Sequence, residues 1–209
     1  MEREKMYIVE IKNPNFDLIR KRKIAEHYEL SIKENVRGKH HWHTATIRVS
    51  KSEKKKVLQM CKGMKYVCYD EKYGRSSNYR EEFFKHNHPD ARKWGDSGPN
   101  NLWYCRYCHR KIPSKKMQVD HVIPVNKAKR MRKRQKKLPN GVNDVSNLVP
   151  SCRRCNRFKS DQTGLWLVRA KLGKYRWYWK LVNIVRVLFF VALFVVLREW
   201  VVPFLQTIF

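Results

Sequence analysis

The fold of the chain depends on one stretch, residues 105–161, which reads CRYCHRKIPSKKMQVDHVIPVNKAKRMRKRQKKLPNGVNDVSNLVPSCRRCNRFKSD. Two Cys-x-x-Cys pairs enclose it, Cys105 with Cys108 and Cys152 with Cys155. Four thiolates with this spacing suit one tetrahedral zinc ion, and such a site is structural because no coordination position stays open. The stretch therefore predicts a module held together by zinc near the middle of the chain.

Polar residues between and after the cysteines form an ordered pattern. Asp120 and His121 precede Val-Ile-Pro, Asn147 begins Asn-Leu-Val-Pro, and Asn156 directly follows the last cysteine. Together with the cysteines, this pattern resembles the HNH endonuclease family in its zinc-stapled form. The resemblance covers roughly the middle quarter of the chain. It implies a ββα-metal unit, in which two short strands and a helix surround one catalytic divalent cation.

The resemblance and the chemistry of phosphodiester hydrolysis assign roles to four side chains. The reaction needs an activated water and a Lewis acid for the charge that builds on phosphorus. Asp120 is a hard oxygen ligand for Mg²⁺ or another divalent cation, and Asn156 offers an amide oxygen to the same ion. His121 titrates near neutral pH and can take a proton from water. The resemblance implies that Asn147 orients the His121 imidazole.

The cysteines alone leave a second interpretation open, because zinc ribbons and treble-clef modules that only bind also carry two Cys-x-x-Cys pairs. The first hypothesis is a divalent-metal-dependent HNH endonuclease that hydrolyses DNA phosphodiester bonds. The alternative is a membrane-tethered zinc protein that binds nucleic acid without catalysis. Asp120, His121 and Asn156 favour the enzyme, since a protein that only binds does not need these groups to converge.

The charge of the chain indicates a polyanionic partner. Its 209 residues carry a formal net charge of +29, which suits nucleic acid or an anionic membrane face. Eight basic residues fall within positions 127–137, which we expect to form a loop between the two strands of the module. Phosphate contact is the favoured role, although a nuclear localisation signal has a similar composition. The predicted DNA-binding residues are Lys129, Arg130, Arg132, Lys133, Arg134, Lys136, Lys137, Arg157 and Lys159.

The residues before the zinc module predict a small α+β domain of unknown role. Apolar periodicity predicts the order β-α-β-α-β, with strands at 6–12, 41–49 and 65–70 and helices at 16–30 and 53–62. The N-terminus has no apolar run, so we expect no signal peptide.

Composition places the domain boundaries. We predict the α+β domain at 1–75, a linker with a short helix at 79–86 within 76–101, and the nuclease domain at 102–165. The whole chain is predicted to be α+β, ending in a hydrophobic helix.

The end of the chain changes character from basic and aromatic to apolar. Residues 174–180 read KYRWYWK, and residues 181–197 read LVNIVRVLFFVALFVVL. A 17-residue helix reaches about 25 Å, slightly less than the ~30 Å hydrocarbon core of a bilayer. We expect 174–209 to form an interfacial collar and a membrane-associated tail, spanning the membrane or lying in its plane. The basic collar would keep the preceding domains in the cytoplasm. A buried or partner-binding helix is the alternative.

Overall fold

A computed structural model describes residues 4–87, 97–98 and 102–208, and these residues form a mixed α/β protein. The strands are β1 (Met6–Lys12), β2 (Leu30–Arg37), β3 (His40–Ser50), β4 (Tyr66–Asp70), β5 (Ser97–Gly98), β6 (Leu102–Tyr104), β7 (Lys111–Pro113), β8 (Gln118–His121) and β9 (Leu148–Ser151). The helices are α1 (Phe16–Lys21), α2 (Ile24–His27), α3 (Lys54–Met60), α4 (Tyr79–His86), α5 (Val125–Arg130), α6 (Arg132–Gln135), α7 (Arg153–Lys159), α8 (Leu165–Leu172) and α9 (Arg176–Ile208).

The chain divides into two compact units. The first contains Met1–His86, His121–Leu148 and Ser160–Thr163. The second contains Asn87–Asp120, Val149–Lys159 and Gly164–Phe209. These bounds differ from the predicted domains because residues 121–148 group with the N-terminal residues. Residues 88–96 and 99–101 of the predicted linker lie outside the described residues, whereas its predicted helix at 79–86 is present as α4.

The first unit is built on an antiparallel sheet in the order β2-β3-β1-β4. Side chains alternate along a strand, so every second residue of β1 and β3 faces one side. Val9 and Ile11 on β1 are fully buried, as is Ile47 on β3, which lies opposite Val9. The helices complete this core with Ile19, Ile24 and Val57, which are buried against the same sheet face.

One strand of this sheet was missed by the sequence prediction. The predicted helix at 16–30 ends earlier, as α1 and α2, and Leu30 begins β2. β2 and β3 form a hairpin that turns at Gly38, whose φ of 60° lies in the left-handed region that glycine adopts readily. With α1 and α2 taken together, the element order becomes β-α-β-β-α-β, the split βαβ arrangement.

The predicted basic loop is helical and packs within the first unit. Lys129 of α5 pairs with Glu10 of β1 and lies 4.5 Å from the centre of the Tyr69 ring. Past α6, Gly141 has a φ of 104°, and a Cβ there would lie 2.5 Å from the Lys72 carbonyl oxygen. The turn at this position therefore requires glycine, and it brings the chain back toward Asn147.

The second unit surrounds the cysteines. Its sheet has the order β5-β6-β7, with the fully buried Trp103 of β6 opposite Ile112 of β7. The strands β8 and β9 form a separate two-stranded sheet, and α7 follows β9 directly. Two strands and a helix are therefore present in the order that the sequence predicts.

The first turn of the helix α9 packs within the second unit, and its following turns carry exposed apolar side chains. Trp179 is buried and donates from Nε1 to the Gly173 carbonyl oxygen at 2.9 Å. From Leu181 to Leu197 the large apolar side chains are exposed. By length and composition alone, Arg176–Arg198 is suited to cross a membrane.

Candidate active site and metal centre

The four predicted cysteines lie together in the second unit. Their sulfur atoms, from Cys105, Cys108, Cys152 and Cys155, are all within 4.8 Å of one another. Each pair forms a tight turn: His109 N donates to the Cys105 carbonyl oxygen at 2.8 Å, and Cys155 N donates to the Cys152 sulfur at 3.4 Å. Four converging sulfur atoms can hold a tetrahedral metal ion such as zinc.

Hydrogen bonds between the cysteines shift the pKa values of the thiols in opposite directions. Hydrogen bonds with Cys105 and Cys155 lower the pKa of the Cys108 thiol. Its hydrogen bonds with Cys105 and Cys108 raise the pKa of the Cys155 thiol. A divalent cation favours all four thiolates at once, so the donor set fits zinc.

Aromatic packing fixes the first cysteine turn to the start of α9. The His109 ring stacks between Tyr104, with centroids 4.8 Å apart, and Trp179, with centroids 5.3 Å apart. Gly173 lies so close to the same turn that a Cβ would be 2.0 Å from the Arg106 carbonyl oxygen. The second unit therefore includes the first turns of α9 as well as the metal-binding residues.

Asp120 lies in a buried cluster next to the cysteine turns. Its Oδ2 accepts a hydrogen bond from the Tyr107 hydroxyl at 2.6 Å and pairs with the Lys159 ammonium at 2.9 Å. Lys159, which the sequence predicted as a DNA-binding residue, is 0% exposed and pairs with this carboxylate. Burial raises the pKa of the Tyr107 phenol, and the neighbouring Asp120 raises it further. Tyr107 is therefore a neutral proton donor that holds the carboxylate in place.

Asn156 lies on the same helix as Lys159 and contacts β8, the strand that carries Asp120. Its Nδ2 donates to Gln118 Oε1 at 2.8 Å. Gln118 and Asp120 are two residues apart on β8 and share a face, and Asn156 and Lys159 are three apart on α7. The two predicted ligands of the catalytic cation thus lie on facing elements. Asp120 uses Oδ2 and Asn156 uses its nitrogen, so each keeps an oxygen that is unengaged within the described part of the chain, and this donor set fits a hard cation.

His121 lies in the first unit, where Asn143 fixes its tautomer. His121 Nε2 is 3.2 Å from Asn143 Oδ1. The same oxygen accepts a hydrogen bond from Ser76 N, while Asn143 Nδ2 donates to the Gly74 carbonyl oxygen at 2.7 Å. Because the amide oxygen faces the imidazole, Nε2 is the nitrogen that carries the proton. In the neutral ring, the lone pair is then on Nδ1.

The described residues around His121 were not all predicted from sequence. Its ring is 5% exposed and lies 4.9 Å from the Tyr79 ring, in a segment that the sequence assigned to a linker. No spacing rule pointed to Tyr79 or Asn143. The one available signal was that Asn143 is a further polar residue close to the Asn140-Gly141 turn.

The hydrogen bonds of the Asn147 side chain go to the backbone near His121. Its Oδ1 accepts from Ile123 N at 2.8 Å, and its Nδ2 donates to the Val142 carbonyl oxygen at 2.8 Å. A buried amide that bridges two backbone segments fixes the loop after β8. Asn143 is a polar side chain that contacts the imidazole, and Asn147 holds the loop beside it.

The predicted DNA-binding cations differ in accessibility. Lys129 is paired with Glu10, and the half-buried Arg134 donates from Nη2 to Thr163 Oγ1 at 3.3 Å. The exposed members of the predicted set are Arg130, Arg132, Lys133, Lys136, Lys137 and Arg157. These six side chains are accessible to a polyanion, whereas Lys129 and Lys159 are engaged in ion pairs within the protein.

The class of this module follows from its pattern and its fold: two strands, a helix, four cysteines that can hold a metal, and polar residues at the strand end. Residues 105–162 match the HNH endonuclease family, so this segment is an HNH endonuclease domain. The family supports nuclease activity in general and implies a nucleic-acid substrate. The comparisons found no matching curated protein and no matching solved structure.

Proposed function

We propose that the chain is a divalent-metal-dependent HNH endonuclease that hydrolyses DNA phosphodiester bonds and carries a structural zinc. The observation that supports this best is that Asp120, the residue before His121, and Asn156 lie on facing elements. Successive residues of a strand point to opposite sides. Asp120 and His121 can therefore serve the same phosphate only where the strand ends, and β8 ends at His121.

Asp120 and Asn156 would hold the catalytic cation, and Tyr107 and Lys159 keep the Asp120 carboxylate in its orientation. When bound, a cation such as Mg²⁺ stabilises the charge that develops on the phosphoryl oxygens. His121 takes a proton from the attacking water. Asn143 Oδ1 accepts a hydrogen bond from Nε2–H and stabilises the imidazolium that results.

The alternative, a zinc protein that binds nucleic acid without cleaving it, explains the cysteines and the charge. It gives no reason for a buried histidine whose tautomer is fixed by an amide. A histidine with one nitrogen held as a donor is what a general base requires, because the other nitrogen must accept the proton. The His121–Asn143 pair therefore favours the enzyme.

A plasmid assay tests the proposed enzyme. The full chain, purified in detergent, is incubated with supercoiled plasmid in Mg²⁺, after treatment with EDTA, and after Mg²⁺ is restored. We expect nicked or linear DNA only when Mg²⁺ is present, and none with Asp120→Ala. Zinc content is measured in each sample, so that loss of the structural ion is distinguished from loss of the catalytic one. DNA binding without cleavage by zinc-replete protein in Mg²⁺ or Mn²⁺ would support the alternative.

We also propose that α9 attaches the enzyme to the cytoplasmic face of a membrane. The exposed apolar side chains of Leu181–Leu197 support this, since burying them in lipid contributes about 25 cal/mol per Å². The collar supplies exposed Tyr175 and Trp177 beside several cations, as at membrane interfaces. Arg186 opposes insertion by roughly 2.5–3.5 kcal/mol at the bilayer centre, and less near the surface.

Two truncations test the membrane proposal. A chain that ends at Lys180 keeps Trp179 and its contacts with His109 and Gly173, so we expect it to stay folded and to leave the membrane fraction. A chain that ends at Gly173 loses Trp179 and should lose stability in the second unit. The full chain should float with lipid vesicles in a density gradient. Full-length protein that stays in the supernatant, or unfolding of the chain that ends at Lys180, would contradict the proposal.

A further inference from the structure

The short helix α7 has two different faces. At 3.6 residues per turn, Cys155, Asn156 and Lys159 fall on one side, and these are the residues that contact the cysteine cluster and β8. The remaining residues fall on a continuous arc of about 140° on the other side. All four are exposed: Arg153, Arg154, Arg157 and Phe158. One face of α7 thus belongs to the proposed active site, and the other faces solvent.

The solvent face borders a groove. Its volume is about 650 Å³, and its described lining consists of Arg153, Arg154, Arg157 and Phe158. Groove volumes of about 300–1,000 Å³ are typical of ligand sites. The α7 sequence RRCNRFK contains no acidic residue, so no carboxylate within the helix neutralises these arginines. The groove is therefore strongly cationic and selects for an anion.

Phe158 makes this groove more than a phosphate site. Its side chain is 64% exposed, and the Arg154 guanidinium carbon lies 5.7 Å from the ring centre. Cations alone contact the phosphates of any nucleic acid. An exposed aromatic ring offers a face on which a base can stack, and arginine beside it adds a cation–π contribution. In an intact duplex the bases are already stacked on each other, so this ring requires an unpaired base.

We propose that the outer face of α7 binds single-stranded or locally unpaired DNA, with a base stacked on Phe158 and the adjoining phosphates on Arg153, Arg154 and Arg157. The proposal rests on the proposed function, because it places the strand on the helix that carries Asn156. An anionic lipid surface is less suitable for this face, since three cations surround a single apolar side chain. The enzyme would then prefer nicked, looped or single-stranded substrates over intact duplex.

Binding measurements separate this proposal from the cleavage reaction. The full chain in detergent is titrated, without Mg²⁺, into fluorescently labelled twelve-nucleotide oligo(dT) and into a labelled duplex of equal length. We expect Phe158→Ala to weaken binding of the single strand roughly 5- to 150-fold, equivalent to about 1–3 kcal/mol per stacked base. Duplex binding should change less than about twofold. Phe158→Trp should restore single-strand binding, and Phe16→Ala, an exposed aromatic in the first unit, should change neither affinity.

Two results would overturn the proposal. Unchanged single-strand affinity in Phe158→Ala would show that no base stacks on this ring. An equal loss of affinity for the single strand and the duplex would show that Phe158 contributes to DNA binding without distinguishing unpaired bases. Photo-crosslinking with benzoylphenylalanine at position 158, in protein placed in vesicles, should label the oligonucleotide. Labelling of lipid instead would assign the face to the membrane. A protein that binds single strands through Phe158 but never cleaves would contradict only the proposed function.

Discussion

Two basic helical regions of this chain use their cations differently. In α5 and α6, Lys129 pairs with the half-buried Glu10, and most of the other cations face solvent. In α7, Lys159 is fully buried against Asp120, and the three arginines face solvent. In each region one lysine therefore stabilises the fold and the others remain available to a partner. A run of positive charge is thus not one functional unit, because the face that each residue occupies decides its role.

The largest expected effect comes from removing a ligand of the proposed structural zinc next to α7. Cys155→Ser removes a ligand on the same helix face as Lys159. Structural zinc contributes about 10–16 kcal/mol of binding free energy in small zinc domains, so we expect the second unit to unfold. The measured zinc content should fall from one ion per chain to none, and limited proteolysis should cut within 102–172. Cys68→Ser, which lies outside the cluster, should keep its zinc. Folded Cys155→Ser protein without zinc would exclude the four-thiolate site.

The buried lysine should matter much more to stability than an exposed arginine of the same helix. Lys159→Met leaves Asp120 buried without its counter-ion, which typically costs about 3–5 kcal/mol. Arg157→Met should change the free energy of unfolding by at most about 0.5 kcal/mol. Urea unfolding followed by tryptophan fluorescence measures both. The double variant Lys159→Met with Asp120→Asn should lose less stability than Lys159→Met alone. Equal effects of the two single variants would show that Lys159 is not buried as an ion pair.

In α5 and α6, a half-buried and an exposed lysine should differ less in their effect on the free energy of unfolding. Lys129→Met removes the charged contact with Glu10 and the contact with the Tyr69 ring, with an expected loss of about 1.5–3 kcal/mol. The exposed Lys133 makes a matched control, and Lys133→Met should be nearly neutral. Urea unfolding of the two variants gives the comparison directly. A destabilised Lys133→Met with an unaffected Lys129→Met would reverse the assignment of the two lysines.

The exposed cations of the α5 and α6 region should affect the salt dependence of DNA binding rather than the free energy of unfolding. Replacing Lys133, Lys136 and Lys137 with glutamine should reduce the slope of log affinity against log salt by up to about 2.7 for duplex DNA, since each phosphate contact contributes about 0.9. Neutralising the exposed Lys21, Lys51 and Lys55 changes the net charge equally and should leave the slope nearly unchanged. If both triple variants lowered the slope equally, the effect would come from overall charge.

The sequence predicted those parts of the site that depend on local spacing. Two residues between paired cysteines are enough to form a metal-binding turn, and the strands β1, β3 and β4 follow from apolar alternation. The burial of Lys159 could also have been deduced, because it lies four residues after Cys155 and shares its helix face. The strand β2 was missed because its exposed edge position gives it few apolar residues.

The contacts of His121 could not be predicted in the same way. Asn143, Ser76, Gly74 and Tyr79 come together only after residues 121–148 pack with the N-terminal residues of the first unit. These contacts join residues between 22 and 69 positions apart, and no periodicity in the sequence encodes them. The resemblance pointed to Asn147 in this region, and the structure places its side chain against the loop backbone and Asn143 against the imidazole.

The most direct test of the account is the cleavage rate of His121→Ala under single-turnover conditions in Mg²⁺, measured with zinc content and DNA affinity. Removing a general base typically lowers the rate about 10²- to 10⁴-fold. Zinc should remain at one per chain and DNA affinity should stay within about twofold, because His121 is assigned to neither. Asn143→Ala removes the partner of His121 Nε2, and its cleavage rate should lie between those of the wild type and His121→Ala. Cleavage by His121→Ala at the wild-type rate would contradict the account.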